Sequence, residues 1–185
     1  MNRRDFLKAA IAATASIQTG PVYSAPAAAS PRALWLTSHG ESRHLDILTP
    51  ADYQAACWLL RDWRTQKVAS ASLRLLETAA WMQAFLALYQ IHRPFVVHSG
   101  YRTKFTNELV GGARASMHML DPQGYFHAMD IHMNGVSAEY LGRLAALAHQ
   151  GGVGFYTHRS QEFVHIDDGR VRYWRGNGKH KKRKT

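Results

Sequence analysis

The spacing of apolar and polar residues changes along the chain, and this change predicts which segments are strands and which are helices. Two short apolar runs, residues 34–37 and 43–47, flank a polar segment at 38–42. Runs of this length with a polar, glycine-containing connection are typical of a β-hairpin. We therefore expect a hairpin with a long loop at the start of the folded part of the chain.

Helical spacing follows the hairpin. Apolar residues recur every three to four positions over residues 50–65 and again over 72–90, which is the pattern of helices that bury one face. Thr49 and Pro50 fit the cap and the first position of the earlier helix. A third helix is predicted to begin with a cap at Ser137 and to run to about residue 149, before two glycines.

The second half of the chain is rich in short strands. Residues 95–98 predict a strand that enters a glycine turn at 99–103, and three more strands are predicted at 153–156, 162–167 and 170–174. Helices that come first and short antiparallel strands that come later indicate an α+β domain, in which a small antiparallel sheet has flanking helices.

Alternation of side chains places polar residues of two strands on the face away from the core. Asp130 and His132 alternate with apolar residues, so both point to the same side of their strand. His165 and Asp167 likewise share one face of a later strand. A carboxylate from one strand and a histidine from its neighbour could therefore meet.

The two termini carry most of the charge. The chain of 185 residues has a formal net charge of +10, but 15 basic and 12 acidic residues remain without the leader and the last seven residues, a net charge of +3. Residues 176–185 (GNGKHKKRKT) are expected to form a solvated basic tail, since such a segment cannot bury a core. The charge therefore indicates no specific nucleic-acid site in the domain.

An export signal is predicted at the N-terminus. Arg3 and Arg4 precede a weakly apolar run at residues 9–17, the arrangement of a twin-arginine signal for the Tat translocase. The run is shorter than the roughly 20 apolar residues of a permanent membrane span. We expect a signal peptide over residues 1–29, cleaved within 25–29, and a periplasmic mature protein without a membrane anchor. The alternative is a basic leader with no role in export.

The remaining residues, about 155, have the length of one domain. Cys57 is the only cysteine, which excludes an internal disulfide and a zinc site built from thiolates. A metal would have to be held by histidines and carboxylates, and residues 115–134 contain three histidines and two aspartates. Catalytic zinc is typically held by three such ligands, with a fourth position left for water.

Six short motifs follow one another in the order found in one known family. They are SGYRT at 99–103, SMH at 116–118, AMDIH at 128–132, GGVGFY at 151–156, FVHID at 163–167 and RYW at 172–174. Over about residues 33–174 the chain resembles the zinc D-Ala-D-Ala peptidases with the hedgehog/DD-peptidase fold, and within them the branch of murein endopeptidase K. The resemblance implies a zinc peptidase domain over residues 30–175.

The resemblance also implies three zinc ligands: His118, Asp130 and His165. Eleven residues lie between the first two, more than is usual in this family, and we expect a turn-rich insertion within residues 120–125. His127 is the competing ligand, because it lies closer to Asp130 in the chain. His132 is expected to support a ligand by hydrogen bonding.

Three further residues are candidates for catalysis. Asp167 is the first candidate for the base that takes a proton from the attacking water, because this branch carries a His-x-Asp pattern. Glu162 is the second, at the offset from His165 that other relatives use. Either carboxylate could instead only support the site. In the family that the chain resembles, the arginine that corresponds to Arg102 binds a peptide carboxylate or stabilises the oxyanion. The alternative role for Arg102 is a structural ion pair.

The leading hypothesis is a zinc-dependent murein endopeptidase that hydrolyses amide bonds in the peptide cross-links of peptidoglycan. The alternative is a non-catalytic, zinc-stabilised periplasmic module that binds peptidoglycan or a partner protein, because a fold alone does not fix an activity. The sequence leaves open whether a D,D or an L,D bond is cut.

Overall fold

The computed structural model describes residues 32–158 and 161–176. The nine strands are β1 (Ala33–Ser38), β2 (Glu41–Asp46), β3 (Ser70–Ala71), β4 (Phe95–Ser99), β5 (Tyr125–Phe126), β6 (Ala128–His132), β7 (Gly152–His158), β8 (Gln161–Asp167) and β9 (Arg172–Arg175). The four helices are α1 (Pro50–Leu59), α2 (Leu73–Ala87), α3 (Lys104–Leu109) and α4 (Ala138–Ala148). The expected signal peptide and, apart from Gly176, the expected basic tail lie outside the described residues.

Seven of these strands form one sheet in the order β2-β1-β4-β6-β8-β7-β9, and β3 pairs with β5 in a separate two-stranded sheet. The α+β class is confirmed. The main sheet is mixed, however, because β1 pairs in parallel with β4 and β7 pairs in parallel with β9. Antiparallel pairing, the arrangement expected throughout, holds at the centre, where β6 lies between β4 and β8.

The first hairpin is confirmed, but its loop is tighter than expected. Ser38 pairs with Glu41, so only two residues connect the strands. Both connecting residues have positive φ, 47° at His39 and 84° at Gly40. Such a pair of left-handed residues is the signature of a type I′ turn, whose twist matches that of the two strands. The polar residues next to the turn therefore belong to the strands.

Two of the three predicted helices have the expected side-chain caps, and the first helix ends six residues early. The Thr49 side chain accepts a hydrogen bond from Asp52 N, and the Ser137 side chain accepts one from Tyr140 N. After α1, the carboxylate of Asp62 accepts bonds from two nearby backbone N–H groups and from both N and Oγ1 of Thr103, at 2.8 and 2.7 Å. These bonds compete with the helical pattern and turn the chain away from the helix axis.

The two faces of the main sheet have different partners. Met129, Ile131, Val164 and Ile166 are buried in the hydrophobic core with the apolar sides of α1, α2 and α4. The residues that alternate with them in β6 and β8 therefore point to the opposite face. Within residues 32–158 and 161–176, no helix has the length and apolar character needed to cross a bilayer.

Candidate metal centre

Three side chains converge on the face of the sheet that is turned away from the hydrophobic core. His118, Asp130 and His165 each offer one ligand atom, and these atoms all lie within 4.8 Å of one another. Asp130 in β6 is the register partner of His165 in β8, which brings Asp130 Oδ1 to 2.8 Å from His165 Nδ1. His118 comes from the segment after α3, and its Nε2 lies 3.2 Å from His165 Nδ1.

Hydrogen bonds behind the two histidines orient the rings. Nδ1 of His118 lies 2.6 Å from the carbonyl oxygen of Gly100. A carbonyl only accepts, so this nitrogen carries the proton and Nε2 presents its lone pair to the cluster. Nε2 of His165 lies 3.1 Å from Asp167 Oδ2, which leaves Nδ1 on the cluster side. Outer hydrogen bonds of this kind are what metal-binding histidines normally have.

The electrostatics of the cluster favour one carboxylate among the histidines. Burial alone would raise the pKa of Asp130, but the adjacent His118 and His165 hold that pKa well below its ordinary value. Burial lowers the pKa of His118 against the opposing attraction of Asp130. Burial would also lower the pKa of His165, but its hydrogen bonds to the carboxylates of Asp130 and Asp167 outweigh this effect and raise that pKa. Asp130 is therefore ionised, and a cation is favoured beside it.

These residues fit a bound metal ion. Two imidazole nitrogens and one carboxylate oxygen form a donor set typical of a catalytic zinc site. All three residues are buried, and the ring orientations direct lone pairs inward. The fold thus brings together the three ligands implied by the sequence resemblance, although the first and the last, His118 and His165, are 47 positions apart in the chain. The cluster could hold a metal ion.

Arg102 lies against the carboxylate of this cluster. Its guanidinium Nη2 donates to Asp130 Oδ2, while its Nε donates to Ser99 Oγ at 2.7 Å. Its backbone N donates to the carbonyl of His118 at 2.8 Å. The structure therefore shows the ion pair that was the alternative for this residue, and it leaves Asp130 Oδ1 for the histidines or a metal.

Asp167 lies behind His165, and its carboxylate is already occupied. Its Oδ1 accepts from Gly152 N and Gly169 N, both at 3.0 Å. Arg172 donates to both oxygens, at 3.0 and 2.6 Å. Burial opposes ionisation, but the hydrogen bonds from His165, from Arg172 and from the two backbone N–H groups hold the pKa of Asp167 well below its ordinary value. The geometry favours a role in orienting His165 over the predicted role as the base.

Glu162 is not brought to the cluster. It is exposed near the beginning of β8 and pairs with Thr157 of β7. Because it lies three positions before His165, alternation along the strand directs its side chain to the other face. The strand geometry therefore does not favour Glu162 in its predicted role as the second candidate base.

His127 is engaged elsewhere. Its Nε2 lies 2.9 Å from Asp121 Oδ2, and its Nδ1 lies 2.9 Å from Asp168 Oδ1. Asp121 also accepts from the backbone N of Gln123 and Tyr125. The competing histidine thus bridges two carboxylates and ties the insertion to the body of the domain. Within the described residues it is not part of the candidate metal cluster, the group formed by His118, Asp130 and His165.

His132 bonds to a second histidine. Its Nδ1 lies 2.6 Å from Nε2 of His98 in β4, and its Nε2 lies 3.2 Å from Asn134 Oδ1. The ring of His98 in turn packs 5.4 Å from that of Phe163. Among the described residues His132 makes no hydrogen bond to the cluster, so the expected support of a ligand comes from Asp167 and Gly100 instead.

The peptidase M15 family model matches residues 50–167, which include the whole metal cluster. The chain belongs to the peptidase M15 family. One similar protein is the peptidoglycan L,D-endopeptidase MepK of Escherichia coli strain K12, 29% identical over 186 residues that cover 94% of this chain and 97% of that protein. The probable peptidoglycan L,D-endopeptidase MepK of Haemophilus influenzae is 30% identical over 133 residues, or 69% of this chain and 67% of that protein. The family resemblance drawn from the motifs is confirmed.

Glycines make room for the site of this M15 domain, a feature that the sequence analysis did not interpret. A Cβ at Gly154 would lie 2.6 Å from the ring of Trp174, which crosses β7 to pack 5.1 Å from the His165 ring. A Cβ at Gly152 would lie 2.6 Å from Asp167 Oδ2. Two glycines at alternate positions of one strand are the sequence signal that could have predicted this close approach.

Proposed function

We propose that this protein is a zinc-dependent murein endopeptidase that hydrolyses amide bonds in the peptide cross-links of peptidoglycan. The observation that carries the proposal is the buried cluster of His118, Asp130 and His165 in a chain of the peptidase M15 family. The two similar proteins are named as L,D-endopeptidases, which favours the L,D cross-link as the bond that is cut.

Each residue of the site has a proposed role. His118, Asp130 and His165 hold the zinc ion, which polarises the peptide carbonyl and lowers the pKa of a water molecule when it is bound. Arg102 fixes Asp130 and presents positive charge toward the substrate. Asp167 keeps the ring of His165 in the orientation that ligation needs.

Glu162, the second candidate in the sequence, is the remaining candidate for the base once Asp167 is assigned to orienting His165, although alternation along β8 directs its side chain away from the cluster. Its carboxylate is exposed, so that it can accept a proton, whereas both oxygens of Asp167 already accept several hydrogen bonds. Glu162→Gln should lower kcat while zinc binding stays at the wild-type level. Wild-type kcat in this variant would exclude Glu162 as the base.

The proposed substrate places the mature protein in the periplasm. Arg3 and Arg4 support export through the Tat translocase, with cleavage within residues 25–29. Substitution of both arginines by lysine should retain the protein in the cytoplasm. Normal export of that double variant would exclude the twin-arginine route.

The central experiment is digestion of purified sacculi followed by mass spectrometry of the released muropeptides. The mature protein should cleave cross-links, and a chelator should abolish cleavage until zinc is restored. His118→Ala should be inactive. Binding to sacculi without any release of muropeptides would instead support the non-catalytic module.

A further inference from the structure

A cationic cavity adjoins the metal cluster on the side of α3. It has a volume of about 560 Å³ and lies between the turn after β4, α3 and the start of the insertion. Its lining includes three cations, Arg102, Lys104 and Arg114, and one acid, Glu108. The roles proposed so far use neither Lys104 nor Arg114.

The cavity and the cluster share structural elements. Arg102 lines the cavity, and it also pairs with Asp130 and donates its backbone N–H to the carbonyl of His118. Met119, the residue after His118, forms part of the cavity wall. The cavity and the cluster are therefore adjacent, and a peptide bound at the cluster can reach the cavity.

Two cations of the cavity, Lys104 and Arg114, remain for a ligand, and they outnumber its one acid, Glu108. Arg102 is largely buried and committed to Asp130. Lys104 and Arg114 are exposed, and neither forms an ion pair with a carboxylate in the part of the chain that the structure describes. Two cations that face a concave surface without a protein partner favour an anionic ligand there.

We propose that the cavity binds a free carboxylate of the stem peptide through Lys104 and Arg114, beside the amide bond that is cut. The proposal rests on the proposed function and names the part of the substrate that determines specificity. The planar guanidinium of Arg114 matches the geometry of a carboxylate, and the ammonium of Lys104 adds a second charge. Tyr101 and Met119 offer apolar surface to the aliphatic part of the same residue.

The insertion contributes to this cavity. Leu120, its first residue, lines the wall. The insertion is held in place because His127 bridges Asp121 and Asp168, each at 2.9 Å. The longer segment between two ligands thus leaves the cluster intact and adds a wall to the neighbouring subsite, which connects the unusual spacing to the choice of substrate.

The test is calorimetric binding of two synthetic stem peptides to the purified mature protein. One peptide carries its free carboxyl groups, and the other has every carboxyl group converted to a carboxamide. Neither contains a cross-link. The wild type should bind the carboxylate peptide about five- to thirtyfold more tightly, as two partly exposed ion pairs allow. The variant K104Q/R114Q should lose this preference, and R43Q/K67Q, with the same charge change at exposed positions outside the cavity, should retain it.

Three results would overturn the proposal: equal affinity of the wild type for both peptides, no measurable binding of the carboxylate peptide, or a preference that persists in K104Q/R114Q. Circular dichroism checks that both double variants are folded. Cleavage of cross-linked muropeptides is measured separately, so a protein that binds the peptides as expected but cleaves nothing would contradict the proposed activity and leave the subsite supported.

Discussion

Asp167→Asn should weaken zinc binding although it removes no ligand. Asp167 Oδ2 accepts from His165 Nε2 at 3.1 Å, which keeps the proton on Nε2 and the lone pair on Nδ1. An asparagine amide can donate to Nε2 instead. The proton of His165 would then move to Nδ1, the nitrogen that faces Asp130, and a protonated nitrogen cannot bind a metal.

The expected size follows from how completely this carboxylate is enclosed. Loss of a hydrogen-bond partner behind a metal ligand typically lowers metal affinity about 10- to 100-fold, or roughly 1.4–2.7 kcal/mol. The Asp167 side chain is 0% exposed, so water cannot take its place, and we expect the upper half of this range. The variant also leaves Arg172 Nη2, now 2.6 Å from Oδ2, beside an amide donor. Because the Arg172 side chain is 35% exposed, water screens its charge, and we expect a loss of folding stability below the roughly 3–5 kcal/mol of a fully buried ion pair.

The assay is competition for zinc between the protein and a chromophoric chelator, under conditions in which circular dichroism shows a folded variant. Asp168→Asn is the matched control, because it removes the same charge one residue away. Asp168 bonds to His127 and Ser72, and to neither histidine ligand. Wild-type zinc affinity in Asp167→Asn, or an equal loss in Asp168→Asn, would refute the tautomer argument.

Three further predictions concern protonation and packing. Zinc affinity should fall as the pH is lowered through the pKa of His165, because its proton competes with the metal. Burial would lower this pKa, but the hydrogen bonds to Asp130 and Asp167 raise it. Constant affinity in chelator competition at several pH values would contradict this prediction. The pKa of His127 is also raised above 6.5 by Asp121 and Asp168, against the effect of burial, so its stabilisation is complete below pH 6.5 and is lost as the pH rises through the folded pKa. The difference in urea midpoint between wild type and His127→Gln should therefore shrink as the pH rises, and a constant difference would exclude the charged bridge. Gly154→Ala should lower stability by about 1–3 kcal/mol through overpacking against Trp174, and an unchanged melting temperature would show that the ring can move away freely.

Features set by neighbouring residues could be predicted from the sequence. The caps at Thr49 and Ser137 and the alternation around Asp130 depend only on residues a few positions apart, and the structure has them as expected. The site motifs could be placed in order because a family resemblance supplied their roles. Nothing in local spacing would have brought His118 to within 3.2 Å of His165.

Features set by distant residues could not be predicted. The first helix ends early because Asp62 bonds to Thr103, 41 residues later. The short helix α3 begins where the Thr103 side chain accepts from Thr106 N, and six residues are too few for a periodic pattern to stand out. Alternation along the strand correctly placed Asp167 on the same face as His165. Its carboxylate also accepts hydrogen bonds from Arg172 and from the backbone N–H of Gly152, and these depend on how the strands around it pair.

The insertion shows why proximity in sequence to a ligand is weak evidence for ligation. His127 is nearer than His118 to Asp130 in the chain. Its backbone N–H, however, donates to the carbonyl oxygen of Met117 at 2.8 Å, and this bond closes residues 117–127 into a loop. Because the two ends of the loop are tied together, its length can change without moving His118 or Asp130. The wall at Leu120, and with it the proposed carboxylate subsite, can therefore vary independently of the proposed metal ligands.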